Sequence, residues 1–460
     1  MTLSDTIFAM SSGHLPSGVC VVRVSGGGSR AVLEGLCGVL PLPRRARLCF
    51  LREPKTQDVL DQAVVLWLPN PRSFTGEDMA ELHIHGSVAV LRRLSQVLSD
   101  DFALRPADRG ELTRRAFYHG KLDITRAEAI ADLIDAQSDA QRRLALSQLG
   151  GALHRHYEDW RARIIHLLAL SEAAIDFSDD DLPSSLADDW QQGIDSLIDD
   201  MARHAQDARG LKVRDGLRVM LSGASNVGKS SLFNALLQSA RAIVADEAGT
   251  TRDVIEETVD MEGYAVVLCD GAGLRAKQGA VEKEGTKRAL QEVRDCDVCL
   301  AVVSADVPDS LVTLDTIFQA YQSTHDDISG FRILINKIDK RPTDSAFIVA
   351  ARRWREGVGL AIPHAVSAKN KKGLQDVRAY ILARLAYDAK EAAVLTRARH
   401  QGHVMACLRA LQEAQEQGFA GGEVSAECLR AAMACLGRIV GTVDMEDVLS
   451  DVFASFCIGK

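Results

Sequence analysis

The stretch Leu217-Arg218-Val219-Met220-Leu221-Ser222-Gly223-Ala224-Ser225-Asn226-Val227-Gly228-Lys229-Ser230 decides the fold of this chain. Leu217 to Leu221 reads as a buried strand, and Ser231 to Leu237 as the helix that follows. Between them, Gly223 to Ser230 spells a complete phosphate-binding loop. The order matters physically. Glycines let successive backbone N–H groups curl around a phosphate, and the helix N-terminus adds its positive dipole end. Lys229 is placed to reach the β- and γ-phosphates of a nucleotide, and the Ser230 hydroxyl to hold Mg²⁺.

Three more motifs follow in chain order. Asp270-Gly271-Ala272-Gly273 closes the apolar run Ala265 to Leu268, where a second strand would deliver a carboxylate to the Mg²⁺ shell. Asn336-Lys337-Ile338-Asp339 closes the run Ile333 to Ile335 and resembles the guanine-specificity motif of GTPases. There the Asp carboxylate accepts from the ring N1–H and the exocyclic amine. Adenine offers neither donor at those positions, so guanine is the expected base. Ser367-Ala368-Lys369 resembles the final loop that backs the base. Between the first two motifs, Gly249-Thr250-Thr251-Arg252-Asp253 supplies a Thr of the kind that closes over Mg²⁺ when the γ-phosphate is present. These motifs predict a GTPase unit. They report binding more directly than turnover, and a nucleotide fold without hydrolysis is the plainer alternative.

A chain of 460 residues leaves room for about two to four domains. Hydrophobic residues make up 47% and charged residues 25%, which is ordinary for a soluble globular protein. No apolar run reaches the roughly 18 residues a membrane span needs. Met1 to Met10 lacks the basic segment and apolar core of a secretory signal. Ten cysteines are scattered without CxxC pairs, many in apolar runs, as Cys20, Cys269, Cys299 and Cys435 are. That fits reduced, buried thiols in a cytoplasm and argues against a disulfide framework or a zinc site. The net charge of −9 disfavours a protein whose only task is gripping nucleic acid. Any RNA contact must come from a local patch or a partner.

Residues 1 to 119 read as a small α/β unit. Val19 to Val24, Ala63 to Leu68 and Glu81 to Ile84 have the look of strands, and Val88 to Leu98 that of a helix. From about Lys121 the period changes. Ile130, Leu133, Ile134, Leu144, Leu149, Trp160, Ile164, Leu167 and Leu168 recur at three- and four-residue steps. Helix continues to about Arg209, the GTPase unit spans 215 to 383, and helix returns from Leu385 to Phe456. Neither helical block alone makes a large core, so the GTPase unit is expected as an insertion into one helical domain. The fold class is therefore α/β plus all-α. The boundaries are 1–119, 120–214, 215–383 and 384–460.

Ras-like GTPases carry a Gln just after Asp-x-x-Gly that orients the attacking water. Here that position is Leu274. If GTP is hydrolysed, a polar group must come from elsewhere, and Gln278 to Arg288 offers Glu282, Lys283 and Glu284. Charge on the β–γ bridge must also be offset. Arg252 and Arg275 lie nearby in sequence, and the carbonyl oxygen of Asn226 could coordinate a monovalent cation beside the phosphates. On spacing alone each of these side chains is better read as a solvated loop residue than as a catalytic one.

The whole chain resembles the MnmE (TrmE) family of tRNA-modification GTPases. Outside the GTPase motifs the likeness is carried by Pro71-Arg72-Ser73-Phe74-Thr75-Gly76-Glu77-Asp78. Arg114-Arg115-Ala116-Phe117, Gly120-Lys121-Leu122-Asp123, Ala127-Glu128-Ala129-Ile130-Ala131-Asp132-Leu133-Ile134 and the terminal Phe456-Cys457-Ile458-Gly459-Lys460 extend it. The resemblance implies an N-terminal domain that binds tetrahydrofolate and makes a homodimer, a helical domain built from two segments, and an inserted Ras-like P-loop GTPase domain. It implies K⁺-dependent hydrolysis driven by pairing of the GTPase domains, K⁺ replacing an arginine finger. Carried over by position, Asn226, Ala245, Glu247 and Thr250 would serve K⁺, and Ser230 and Thr251 would serve Mg²⁺. Val227, Gly228, Lys229, Ser231, Asp246, Ala248 and Gly249 would complete the GTP contacts of the first motifs. Glu282 would position water. Arg23, Glu81, Lys121 and Lys460 would bind 5,10-methylene- or 5-formyl-tetrahydrofolate, and Cys457 would be catalytic.

The family acts with the FAD protein MnmG (GidA) on carbon 5 of the wobble uridine of certain tRNAs, adding an aminomethyl or carboxymethylaminomethyl group. A ribosome-assembly or RNA-binding GTPase of the Era/Der type is the competing expectation. Such proteins usually append a basic RNA-binding domain, and none is legible here. Two positions depart from the family. Gly271 replaces a Thr, which predicts a looser switch II, and Glu247 adds a carboxylate to a loop of mostly carbonyl ligands. His83 and His85 share one strand face, where packing or hydrogen bonding near the folate pocket is the plainer reading than metal ligation. Cys457 standing alone could be incidental, and the acidic run Asp179 to Asp181 reads as a solvated helix end.

Overall fold

The computed structural model describes residues 5–176, 185–207, 209–239, 241–242, 255–271, 280–307, 310–340, 346–360, 362–385, 394–441, 452–453, 456 and 459. The chain forms two compact units. One comprises Met1–Ala131, Gln148–Asp199 and His403–Lys460, and the other Asp132–Ser147 and Asp200–Gly402.

The first unit opens with a sheet of β1 (Ile7–Met10), β2 (Ser17–Ser25), β3 (Arg47–Arg52), β4 (Val59–Leu68), β5 (Met79–Gly86) and β6 (Arg105–Pro106). Their spatial order is β3-β4-β5-β2-β1-β6. β6 runs parallel to β1 and the other pairs are antiparallel. Side chains alternate across the pleat. Cys20, Val22 and Val24 of β2 and Ala80, Leu82 and Ile84 of β5 therefore share one buried face. That face packs with residues of α1 (Ser29–Cys37) and α2 (Val88–Asp100), including Val32, Leu33, Leu36, Leu94, Val97 and Leu98. Arg23, Glu81 and His83 sit at the intervening positions and look the other way. The apolar runs from Val19, Ala63 and Glu81 mark β2, β4 and β5, each extended by polar residues that continue the pairing.

Helices α3 (Glu111–Tyr118), α4 (Ile124–Asp135), α5 (Asp139–Leu149), α6 (Ala152–Asp176) and α7 (Ser185–Gln206) follow. In α6, Trp160, Ile164 and Leu167 are buried at four- and three-residue steps; in α7, Trp190, Ile194 and Leu197 repeat the pattern. Trp190 Nε1 donates to Ser171 Oγ at 2.9 Å, locking α7 onto α6. The short α8 (Arg209–Asp215) lies within the second unit, just before its sheet.

That unit holds β7 (Leu217–Ser222), α9 (Lys229–Ser239), β8 (Arg241–Ala242), β9 (Ile255–Met261), β10 (Tyr264–Asp270), α10 (Ala280–Asp295) and β11 (Val298–Ser304). α11 (Val312–Gln322), β12 (Phe331–Asn336), α12 (Ala346–Gly357), β13 (His364–Ala365) and α13 (Leu374–Ala383) complete it. The sheet order is β13-β12-β11-β7-β10-β9-β8. β7, β10, β11, β12 and β13 pair in parallel, while β9 is antiparallel to β10 and β8 to β9. Every residue of β11 is buried, as a parallel strand covered on both faces must be. On one face, Leu232, Phe233 and Leu236 of α9 pack against β7 and β10. Each such side chain contributes about 1.5–3 kcal/mol of burial. β7 lies between β10 and β11, so the chain changes sides of the sheet there, and ligand sites form at the carboxyl ends of strands at such a switch.

After α13, helix returns as α14 (Ala398–Gln417) and α15 (Glu423–Val440). Arg430 of α15 pairs with Glu172 of α6 at 3.1 Å, and Phe419 lies 6.3 Å, ring to ring, from Trp190 of α7. Helices from before and after the GTPase segment thus build one helical domain.

Candidate functional site

The phosphate loop runs from the end of β7 into the first turn of α9. Gly228 has φ +95°, and a Cβ there would stand 2.5 Å from Asn336 Nδ2. Only glycine meets both demands. Lys229 is buried, and its Nζ donates to the carbonyls of Gly223 at 3.1 Å and Ala224 at 3.0 Å. Burial pulls its ammonium below the ordinary lysine value, and the charge of Asp270 opposes that pull. A buried, partly desolvated ammonium is ready for an anion. Ser230 is exposed on the first turn of α9, and Asn226, exposed in the loop before it, has φ +65°.

Asp270 ends β10, and its Oδ1 is buried without a hydrogen-bond partner. A buried carboxylate oxygen in that state calls for a counterpart. Together with the Ser230 hydroxyl it fits Mg²⁺, which keeps several waters and takes few protein ligands.

The base end meets the phosphate end through Asn336. Its Nδ2 donates to the Val227 carbonyl at 3.0 Å, and its Oδ1 accepts from the N–H of Lys337 at 2.8 Å and of Ala368 at 3.3 Å. Lys337 Nζ donates to the Asn226 carbonyl at 2.6 Å. Asp339 Oδ1 accepts from Ser367 Oγ at 2.6 Å, and that hydrogen bond holds the Asp339 carboxyl below its ordinary value. The carboxylate stays ionised and exposed, ready to accept from a ring N–H and an amine. Lys369 adds a further favourable charge.

Gly271 is buried, and its N–H donates to the Leu221 carbonyl at 3.1 Å. A Cβ at this position would stand 2.5 Å from Met220 Cε and 2.9 Å from the Leu221 carbonyl oxygen. The methionine occupies the space a larger residue would need. Ala245, Asp246, Glu247, Ala248, Gly249, Thr250, Thr251, Ala272, Gly273, Cys457 and Lys460 lie outside the described residues, as does the side chain of Glu282. The acidic run Asp179 to Asp181 does too.

A second constellation occupies the first unit. Arg23 Nε donates to Glu81 Oε1 at 2.9 Å, and His83 Nε2 lies 3.2 Å from Glu81 Oε2. Burial raises the Glu81 carboxyl, but hydrogen bonds from His83 and Arg23 and the Arg23 charge outweigh it and hold it below the ordinary value. His85 pairs with Asp61 at 2.7 Å. Both histidines thus serve carboxylates. Among the described residues no group of three or more His, Cys, Asp or Glu could hold a metal.

The loop Pro71 to Asp78 borders this pair. Phe74 lies 5.7 Å beneath the Arg23 guanidinium, and Lys121 Cγ is 3.5 Å from where a Gly76 Cβ would lie. Glu77 anchors the loop, accepting from Ser25 Oγ at 2.7 Å and Arg115 Nη1 at 3.2 Å. Arg115 is 1% exposed and also donates to Glu111 at 3.0 Å and to Asp5. Ser11 Oγ donates to the carbonyl of Gly459 at 2.7 Å, which brings Gly459 to the end of β1. Ala9, two residues before Ser11, is paired with Arg23. Phe74, Glu77 and Arg115 carry no site signal of their own in the sequence. All three fall within the runs that carry the family resemblance, which is the available signal, while the hydrogen-bonding reading of His83 has its partner in Glu81.

A P-loop GTPase unit with a guanine site, and a unit that joins helices to an α/β sheet bearing an Arg–Glu–His cluster, define a multidomain GTPase. Family models described as "MnmE helical domain" and "GTP-binding protein TrmE N-terminus" match residues 124–457 and 6–121. The chain belongs to the MnmE family of tRNA modification GTPases. Among relatives, the tRNA modification GTPase MnmE of Parvibaculum lavamentivorans is 42% identical over 99% of this chain and 100% of its own length. That of Rhodospirillum rubrum is 43% identical over 99% of each. The mitochondrial 5-taurinomethyluridine-[tRNA] synthase subunit GTPB3 of Danio rerio is 40% identical over 99% of this chain and 93% of its own. No described helix is long and apolar enough to cross a membrane.

Proposed function

We propose that this chain is a K⁺-dependent GTPase that, with an FAD-containing MnmG (GidA) partner, modifies carbon 5 of the wobble uridine of tRNA. Methylene-tetrahydrofolate is the one-carbon donor. The observation that carries the reading is Gly459, whose carbonyl is held by Ser11 at the end of β1, the strand whose Ala9 pairs with Arg23 of the Arg23–Glu81 pair. It supports placing Cys457 and Lys460 at the folate pocket, with Arg23, Glu81 and Lys121. The pterin of a folate offers ring N–H and amine donors to a carboxylate, and its glutamate offers anions to lysines and arginine.

In the GTPase unit, Lys229 grips the phosphates, and Ser230, Asp270 and Thr251 serve Mg²⁺, which would neutralise charge on the leaving phosphates. Asn336, Asp339, Ser367, Ala368 and Lys369 receive guanine. The exposed Asn226, held at its backbone by Lys337, supports a K⁺ site with Ala245, Glu247 and Thr250. Glu282 takes the water-positioning role that Leu274 cannot fill. The homodimer, with GTPase units pairing to complete the cation site, follows from the family resemblance, as does a cytoplasmic setting. The domain boundaries 1–119, 120–214, 215–383 and 384–460 belong to the same reading.

Equilibrium binding of 5-formyl-tetrahydrofolate tests the assignment, and Arg23→Ala or Glu81→Ala should abolish it. A chain that binds no folate sinks the proposal. GTP turnover should be much faster in K⁺ than in Na⁺; equal rates remove the cation role.

A further inference from the structure

We propose that the outer edge of β3, with Arg44, Arg45, Arg47 and Arg72, is a docking surface for the phosphate backbone of tRNA. The inference rests on tRNA being the substrate and adds where it is gripped.

The chain carries a net charge of −9, yet these four arginines are all exposed and close together. Arg44 has φ +61°, its N–H donates to the Trp67 carbonyl at 2.8 Å, and its Nη2 donates to the Arg72 carbonyl. The turn therefore brings residues 44 and 72 side by side. Among the described residues none of the four has a carboxylate within ion-pair distance. Basic neighbours differ in this respect. Lys55 is paired with Asp101 at 2.6 Å, and Arg93 with Glu53 at 2.6 Å. Lys55 and Arg93 are neutralised, whereas this cluster of four is uncompensated. Forked guanidiniums of this kind match phosphate oxygens in pairs.

β3 ends the sheet order, so its outer backbone groups have no strand partner. Register sets its level. Arg47 pairs with Val65 and Val65 with Leu82, while Pro43 bridges to Trp67 and Trp67 pairs with Ala80. The segment Arg44 to Arg47 thus lies level with the intervening row, that of Leu66 and Glu81. Two strand spacings, about 10 Å, separate that edge from β5. Arg47 leaves β3 on the helix side, and Leu48 and Phe50 leave it on the face that also carries Glu81. Leu48 and Phe50 are 62% and 52% exposed. A ribose-phosphate chain along the rim would let an unstacked base fold over Phe50 toward the Arg23–Glu81 cluster.

The test is binding of a labelled, unmodified tRNA transcript to the full-length chain between 50 and 200 mM KCl. The pair Arg45→Ala and Arg47→Ala should weaken binding about tenfold at the low-salt end and lower the slope of log affinity against log salt by roughly two. The pair Arg45→Gln and Arg47→Gln, which keeps the rim polar but removes both charges, should lose the same slope, and its binding decides the question should the alanine pair fail to fold. GTP turnover and 5-formyl-tetrahydrofolate binding should match the parent in both. Unchanged tRNA affinity and slope overturn the proposal. So does a change in the chain's own association state with tRNA binding intact, which would make the edge a contact between two copies. Loss of folate binding in the parent chain would sink the functional reading instead, and the two failures are read in separate assays.

Discussion

Asn336 predicts more than guanine affinity. It is 3% exposed and makes three main hydrogen bonds, to Val227, Lys337 and Ala368 at 3.0, 2.8 and 3.3 Å, with a longer branch to the Gly228 carbonyl at 3.4 Å. Asn336→Ala removes all three and leaves a buried carbonyl and two N–H groups without partners. At about 1 kcal/mol net per bond, the loss is about 3 kcal/mol. For a unit of some 200 residues, that lowers the thermal midpoint by about 6–12 °C. The measurement is the nucleotide-free unfolding transition of the GTPase unit, followed by titration with GTP. Affinity should fall with the midpoint, because the same side chain fixes the Val227–Gly228 carbonyls at the mouth of the phosphate loop. Asp339→Asn is the control. Its side chain is exposed, so the nucleotide-free midpoint should hold while preference moves from guanine toward xanthine, whose C2 carbonyl an amide can meet. A midpoint for Asn336→Ala within 1–2 °C of the parent would refute the clamp.

Arg115→Met should destabilise the first unit by about 3–5 kcal/mol, because Glu77 and Glu111 lose a buried partner; urea unfolding measures it, and a cost under 1 kcal/mol would discount the network. Gly271→Thr should cost about 1–3 kcal/mol by crowding Met220 and the Leu221 carbonyl. Adding Met220→Ala should recover part of that cost, and strictly additive effects in the four-variant cycle would deny the contact. Glu81 has a folded-state carboxyl value below its unfolded one. Its contribution is therefore complete above the unfolded value of about 4.3 and drains away as pH falls through the lower folded value. Urea midpoints of the parent and of Glu81→Gln should keep a constant gap from pH 8 to 5 and converge in stronger acid; a gap that opens near neutrality would contradict the sign.

The parts of this protein legible in its sequence are those whose signal is local. The runs ending at Leu221, Leu268 and Ile335 are strands because parallel strands covered on both faces are apolar throughout. The helices after Lys121 show in their three- and four-residue steps. β1, β3 and β6 are silent because a short strand, or one that carries arginines at its edge, has no distinctive period. The site is legible where a motif is contiguous, as at Gly223 to Ser230. Glu77 and Arg115 meet across 38 residues, and nothing in their neighbourhoods announces the pairing. The fit of Gly271 to Met220 joins adjacent parallel strands and is equally silent; in sequence the glycine reads only as a departure.

The bond between Ser11 and Gly459 spans 448 residues. On a ribosome adding about 5–20 residues per second, roughly 20 to 90 s pass between the making of one partner and the other. Strand β1 can be laid into its sheet early, but its end is closed over only when Gly459 has been made. This contact therefore waits on translation of both the later helices and the GTPase unit. A chain released before residue 459 would carry a folded GTPase unit while the Ser11 hydroxyl at the end of β1 still lacked its acceptor.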